Sequence, residues 1–205
     1  MVNTYVLHDE TGACVLIDPG CLSAVEKASL RQYTEENELQ PAMLLNTHTH
    51  IDHIFGNRFA FDTFGLKPLV HKEELPILKA ASSTAAMFGI SDFEPSPEPD
   101  EFLAQGDTVA FGNSVLDVLH LPGHSPGHLA FVCREQQFVL QGDVLFLGSI
   151  GRTDLPGGDF DTLLHSIRTQ LFPLGDDYSV FCGHGEATTI GYEKKHNPFL
   201  LDYPG

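Results

Sequence analysis

Thr47-His48-Thr49-His50-Ile51-Asp52-His53 places three imidazoles and a carboxylate within six residues, directly after Pro41-Ala42-Met43-Leu44-Leu45, an apolar run that reads as a buried strand. Neighbouring residues of an extended chain point to opposite faces, so His48 and His50 project to the same side, and Asp52 and His53 follow where the chain turns. Four such ligands packed together are costly to hold unless a cation gathers them, and imidazole with carboxylate is the donor set of zinc and related divalent metals. A polar loop that is merely rich in histidine is the competing reading. Metal ligation is the stronger reason to cluster these residue types at the end of a strand.

Outward from that segment, strand-like and helix-like stretches alternate in two halves, with no internal repeat and no obvious linker. Val2 to Leu7 and Ala13 to Ile17 read as strands joined by the turn Asp9-Glu10-Thr11-Gly12. Ser23 can cap a helix over 24–38, a second helix is expected from about His53 to Phe64 with Gly65 as its stop, and a third over 72–88. Pro95, Pro97 and Pro99 forbid a regular element over 89–101. In the second half, short strands at 108–111, 114–119, 129–133 and 138–141 suit a meander. Phe160, Leu163, Leu164, Ile167 and Leu171 recur at helical spacing behind a cap at Asp159 or Asp161, Tyr178 to Cys182 reads as a strand, and 188–195 as a closing helix. The pattern predicts an α/β protein in which two sheets are flanked by helices.

Composition bounds the function. A chain of 205 residues, 42% hydrophobic, suits one globular domain over 1–205. Its formal net charge of −17 argues against nucleic-acid and anionic-membrane partners, although bound divalent metals would invert the sign locally. Cys14, Cys21, Cys133 and Cys182 form no Cys-X-X-Cys motif and Met1 to Tyr5 resembles no signal segment, which together point to free thiols and a cytoplasmic setting. No apolar stretch approaches the roughly 20 residues that span a bilayer.

Further ligand candidates stand at the ends of second-half strands. His124 lies in Leu121-Pro122-Gly123-His124-Ser125-Pro126-Gly127-His128, Asp143 in Gln141-Gly142-Asp143, and His184 in Phe181-Cys182-Gly183-His184-Gly185. Each alone reads equally well as a hydrogen-bonded turn residue. Together with the first cluster they supply five histidines and two aspartates, enough for two metals that share a carboxylate.

These ordered motifs, with Ile17-Asp18-Pro19-Gly20, resemble the metallo-β-lactamase-fold superfamily over almost the whole chain, and within it the glyoxalase II-like thioester hydrolases. The resemblance implies an αββα sandwich of two mixed sheets flanked by helices, with the site at one edge of the sheets. It implies that His48, His50 and His124 hold one metal, that Asp52, His53 and His184 hold the other, and that Asp143 bridges them. A hydroxide held between the metals by Asp143 would be the nucleophile, Asp52 its proton acceptor, and a small-molecule acyl thioester the substrate. Zinc is the first choice for both ions, with iron or manganese as alternatives set by supply. Asp18 would lie beneath the site and orient a ligand, or else simply end its strand. His128 could likewise support a ligand, but reads more readily as a satisfied core histidine. His8, His71, His120, His165 and His196 match no motif and read as structural or surface residues.

Departures from the pattern concern the substrate. In Gly148 to Asp159, Arg152 takes the basic role that glyoxalase II enzymes give to a lysine, and a guanidinium fork suits a carboxylate. The tyrosines expected in that loop and after His184 are absent, and the chain stops at Gly205 without the C-terminal helical domain that contacts glutathione in those enzymes. The resemblance is therefore to short, single-domain bacterial glyoxalase II-like proteins. An edge strand is usual before Asn3; either it is absent, which would leave one sheet edge open, or the numbered start lies downstream of the natural one.

Persulfide dioxygenases share the fold and a Gly-Arg-Thr-Asp loop, and bind a single iron through residues matching His48, His124 and Asp143. The Gly-His-Gly turn favours the hydrolase over them. Common β-lactamases place a cysteine or a different ligand where Asp143 stands, whereas a lactonase or a phosphodiester hydrolase stays open, the acidic surface opposing RNA. A complete ligand set argues against a non-catalytic, metal-storing module. Physiological acyl group, metal identity and oligomeric state are left open by the sequence.

Overall fold

A computed structural model describes residues 2–201. The chain divides into two compact units, Met1–Leu103 with Val109–Val115, and Ala104–Thr108 with Leu116–Gly205. No helix among the described residues is long and apolar enough to cross a membrane.

The first unit is built on a mixed sheet of β1 (Tyr5–His8), β2 (Ala13–Ile17), β3 (Gln40–Leu45) and β4 (Pro68–Leu69), in that order. β1 and β2 form an antiparallel hairpin with Tyr5 opposite Ile17, whereas β2, β3 and β4 run parallel. Parallel strands need a crossover, and α1 (Ala24–Glu36) supplies it between β2 and β3. Its start is fixed by a capping box in which the Ser23 hydroxyl accepts from Glu26 N at 3.2 Å and Ser23 N donates to the Glu26 carboxylate at 2.8 Å. Leu16, Leu30, Leu44 and Ala60 pack into one apolar cluster, so the ends of β2 and β3 are anchored where Asp18 and the histidine segment begin.

The helix expected from His53 starts later. Residues Ile51–His53 form a 3₁₀ turn, and α2 runs over Asn57–Phe64 behind Gly56, ending at Gly65 with φ 74°. The reason is tertiary: the His53 ring is tied to Asp18, and Gly56 N donates to Pro19 O at 2.7 Å, so the chain makes a tight corner before it can wind. α3 likewise covers Leu75–Met87 rather than starting at Lys72, since Lys72–Glu74 is a separate 3₁₀ turn capped by His71.

The other sheet has six strands, ordered β12-β11-β8-β7-β6-β5: β5 (Thr108–Phe111), β6 (Ser114–His120), β7 (Leu129–Cys133), β8 (Phe138–Leu140), β11 (Ser179–Phe181) and β12 (Thr188–Thr189). It is mixed too, because β11 lies parallel to β8 while β7 pairs antiparallel with both β6 and β8. A short ribbon pairs β9 (Leu145–Phe146) with β10 (Ser149–Ile150), the latter inside the Gly148 to Asp159 segment that the sequence reads as a loop; two-residue strands carry too little alternation to be seen. α4 (Phe160–Ser166) is capped by Asp159 rather than Asp161, the carboxylate accepting from Thr162 N at 2.8 Å, and it continues into a π-helical turn over Ile167–Leu171. Leu163, Leu164, Ile167 and Leu171 pack with Val132, Val139, Val144 and Val180 in the second unit's core, as their helical spacing requires. α5 (Ile190–His196) and α6 (Pro198–Leu201) complete the described chain.

Candidate metal centre

In the first unit the histidine segment leaves β3 extended and turns at Ile51, so alternation holds through the part that carries His48 and His50. Their rings are 4.7 Å apart between centroids, and the rings of His48 and His53 are 4.1 Å apart. His48 and His53 are fully buried, while His50 and Asp52 are half-buried.

Asp18 orders this cluster from below. Its left-handed backbone, φ 48°, is a conformation that aspartate tolerates better than most side chains. Oδ1 accepts from Thr47 N at 2.8 Å, and Oδ2 accepts from Thr47 Oγ1 at 2.6 Å and from His53 Nδ1 at 3.0 Å. Thr47 Oγ1 in turn lies 3.0 Å from His48 Nδ1. With its hydroxyl proton given to Asp18, Thr47 accepts from His48, so the δ nitrogens of His48 and His53 both carry hydrogen and Nε2 is the atom of each that could ligate a metal. Asp18, His48 and His53 lie close enough to share an ion, but both oxygens of Asp18 are spent on these donors, which makes it a support rather than a ligand. Asn46 and Asn57, both fully buried, close the turn: Asn46 Nδ2 donates to His53 O at 3.0 Å, and Asn57 Nδ2 to Asn46 Oδ1 at 2.9 Å.

The second unit holds the other three candidates at strand ends. Asp143 Oδ2 lies 3.7 Å from His124 Nε2 and 3.5 Å from His184 Nε2. Those separations are long for hydrogen bonds and close to the spacing of nitrogen and oxygen donors around one tetrahedral cation, roughly 3.4 Å for bonds of about 2.0–2.1 Å. His124 Nδ1 donates to Arg152 O at 2.7 Å, so Nε2 is again the nitrogen that could ligate a metal. The donor set therefore fits divalent metal: imidazoles oriented through their far nitrogens, and one carboxylate oxygen midway between two of them.

Around Asp143 the chain is built to tight tolerances. Gln141 Oε1 accepts from Val144 N and Leu145 N at 3.0 and 2.8 Å, clamping the turn. A Cβ on Gly151 would come within 1.9 Å of Asp143 O, so only glycine passes there. His128, read from sequence as a core histidine, is fully buried and accepts from Asp143 N at 3.2 Å through Nε2. Its supporting role, like those of Thr47, Asn46 and Gln141, lacks a sequence signal other than nearness to a ligand.

Arg152 is exposed on its loop, and its fork is already engaged: Nε and Nη2 each donate to Asp154 at 2.7 Å. The guanidinium holds the Asp154 carboxyl at about 2, well below the usual range. His71 caps a turn and His120 Nε2 bonds Pro126 O at 2.9 Å, both structural uses.

The profile of the metallo-beta-lactamase superfamily matches residues 1–184. The chain is 39% identical to hydroxyacylglutathione hydrolase GloC of Haemophilus influenzae over 199 residues, covering 97% of this chain and 92% of that protein. Among solved structures it is similar to the BLEG-1 B3 metallo-beta-lactamase, with a TM-score of 0.88 and 36% identity over 98% of this chain and 94% of that one. A similar match is TTHA1623 in a di-iron-bound form, with a TM-score of 0.87 and 38% identity over 97% and 95% of the two chains.

Proposed function

The chain belongs to the metallo-beta-lactamase superfamily and is a metallo-hydrolase of that fold, and from this premise we propose that it cleaves acyl thioesters at a binuclear metal centre, in the manner of glyoxalase II. The observation that supports the reading is the single Asp143 oxygen 3.5 Å from His184 Nε2 and 3.7 Å from His124 Nε2, a spacing that suits a carboxylate shared between two ions. In this reading His48, His50 and His124 hold one ion and Asp52, His53 and His184 the other. Zinc suits the imidazole-rich set, and the di-iron form of TTHA1623 keeps iron in view.

Two ions so held supply an activated water and polarise the scissile carbonyl. The chain's own residues do the remainder. Asp143 and the ligating imidazoles fix the geometry, while Asp18, Thr47 and the Arg152 carbonyl keep those imidazoles from turning. Asp52, half-buried, accepts the proton lost by water as the carbon–oxygen bond forms, and that proton leaves with the thiolate when the carbon–sulfur bond breaks. Water and thioester thus give carboxylic acid and thiol. Arg152 is proposed to meet an acidic group of the substrate by exchanging Asp154 for it.

Metal analysis with an activity panel tests the reading. About two metal equivalents and hydrolysis of S-lactoylglutathione or another acyl thioester are expected. One iron with oxygen uptake on glutathione persulfide, or turnover confined to a β-lactam such as the name of BLEG-1 suggests, would overturn it.

A further inference from the structure

Glu74 is fully buried, stands at the junction between the Lys72–Glu74 turn and α3, and is used by none of the chemistry above. Its Oε2 accepts from Thr49 N at 2.8 Å and lies 3.0 Å from Thr49 Oγ1, which is also 3.1 Å from the Glu74 carbonyl. Thr49 is the residue between His48 and His50. Since side chains alternate along extended chain, Glu74 grips the back of the segment whose front presents both imidazoles. Asp18 makes the same pair of contacts, backbone N–H and hydroxyl, with Thr47 two residues earlier. The strand extension is therefore held at alternate positions by two buried carboxylates, one from the end of β2 and one from the start of α3.

Burying a carboxylate is expensive unless its hydrogen bonds are met, and a surface-capped turn has no need of one. Glu74 is itself locked in place, its N–H donating to His71 O at 3.0 Å. We infer that Glu74 is a positioning residue that sets the register and direction of His48 and His50 for metal binding, with α3 as its rigid mount. This rests on the reading of His48 and His50 as ligands.

The test measures zinc affinity by competition with a chromophoric chelator, and the visible spectrum of the cobalt-substituted protein, at a temperature where circular dichroism shows every variant folded. Glu74→Ala is expected to weaken zinc binding about 10- to 100-fold and to alter the cobalt bands, the usual effect of losing a group that orients ligands. Glu74→Gln, whose amide oxygen can accept the same two donors, should recover most of the affinity, and Thr49→Val, which removes only the hydroxyl, should show a smaller loss of the same kind. Leu78→Ala, a core truncation on α3, should lower the melting temperature without changing either metal readout. Unchanged affinity in Glu74→Ala, or in Thr49→Val should the former not fold, overturns the inference, as does an equal loss in Leu78→Ala or no recovery in Glu74→Gln. Retention of zinc and cobalt bands by a His48→Ala/His50→Ala variant would instead remove the ligand reading itself.

Discussion

Asp143 is placed where a single substitution separates metal binding from folding. It is buried on a turn whose clamps, Gln141 and His128, hold backbone N–H groups that alanine keeps, so Asp143→Ala should leave the stability of metal-stripped protein within about 1 kcal/mol of the parent. The same variant should lose metal and more than about a hundredfold in thioesterase rate, exceeding the usual cost of removing a ligand's support. Full metal content and rate in that variant would show that the carboxylate does not bridge. Arg152 and Asp154 give a prediction of opposite sign. Because Asp154 occupies the fork, Asp154→Ala should lower KM for a thioester with a free carboxylate while leaving kcat nearly constant. The pair is exposed and worth little in water, so the gain is limited to roughly a fewfold. No change, or an equal gain with an uncharged thioester, would detach Arg152 from substrate binding.

At the level of elements, α1 matters because it carries the chain from β2 to β3 and so spaces Asp18 from the histidine segment. Ser23→Ala removes the hydroxyl half of its capping box, leaving only the residue-23 N–H on the Glu26 carboxylate, and should cost about 1 kcal/mol in chemical denaturation, with metal affinity retained. A loss under a few tenths would mean that water satisfies the helix end equally well. Capping residues were among the features most legible beforehand: Ser23, Gly65 and Asp159 are local signals, and each acts where the sequence places it. The helix start at Asn57 rather than His53 was not legible, since a bond from His53 to Asp18, 35 positions away, decides it.

Across the whole molecule, the four cysteines test how the chain buries its thiols. Cys14, Cys21 and Cys182 are buried and Cys133 is half-buried, with no disulfide among them. A chromogenic disulfide reagent at neutral pH should therefore label about one thiol quickly in native protein and all four after denaturation; rapid labelling of three would contradict the packing. Burial pushes the Cys14 and Cys21 thiols up to about 11, from an ordinary value of 9.0. A raised pKa in the folded state means that the stabilising contribution is complete below the unfolded value and is lost as pH rises toward the folded one. Melting temperatures of chelator-treated protein should thus decline between about pH 9 and 11, and less steeply in Cys14→Ala.

The chain order of His48, His50, Asp52, His53, His124, Asp143 and His184 was enough to mark a candidate metal site, because ligand type is written in the residues themselves, and the motifs around them carried the family resemblance that implied the fold. Apart from Asp18, for which the family resemblance offered a supporting role, tertiary structure alone decided which groups hold those candidate ligands in place. Asp18, Glu74, His128, Gln141 and the Arg152 carbonyl act on partners between 3 and 35 positions away, through bonds to backbone N–H groups and ring nitrogens that leave no periodic trace. A ligand is chosen for its chemistry and so can be read from its name; a support is chosen for its position, which exists only once the chain has folded.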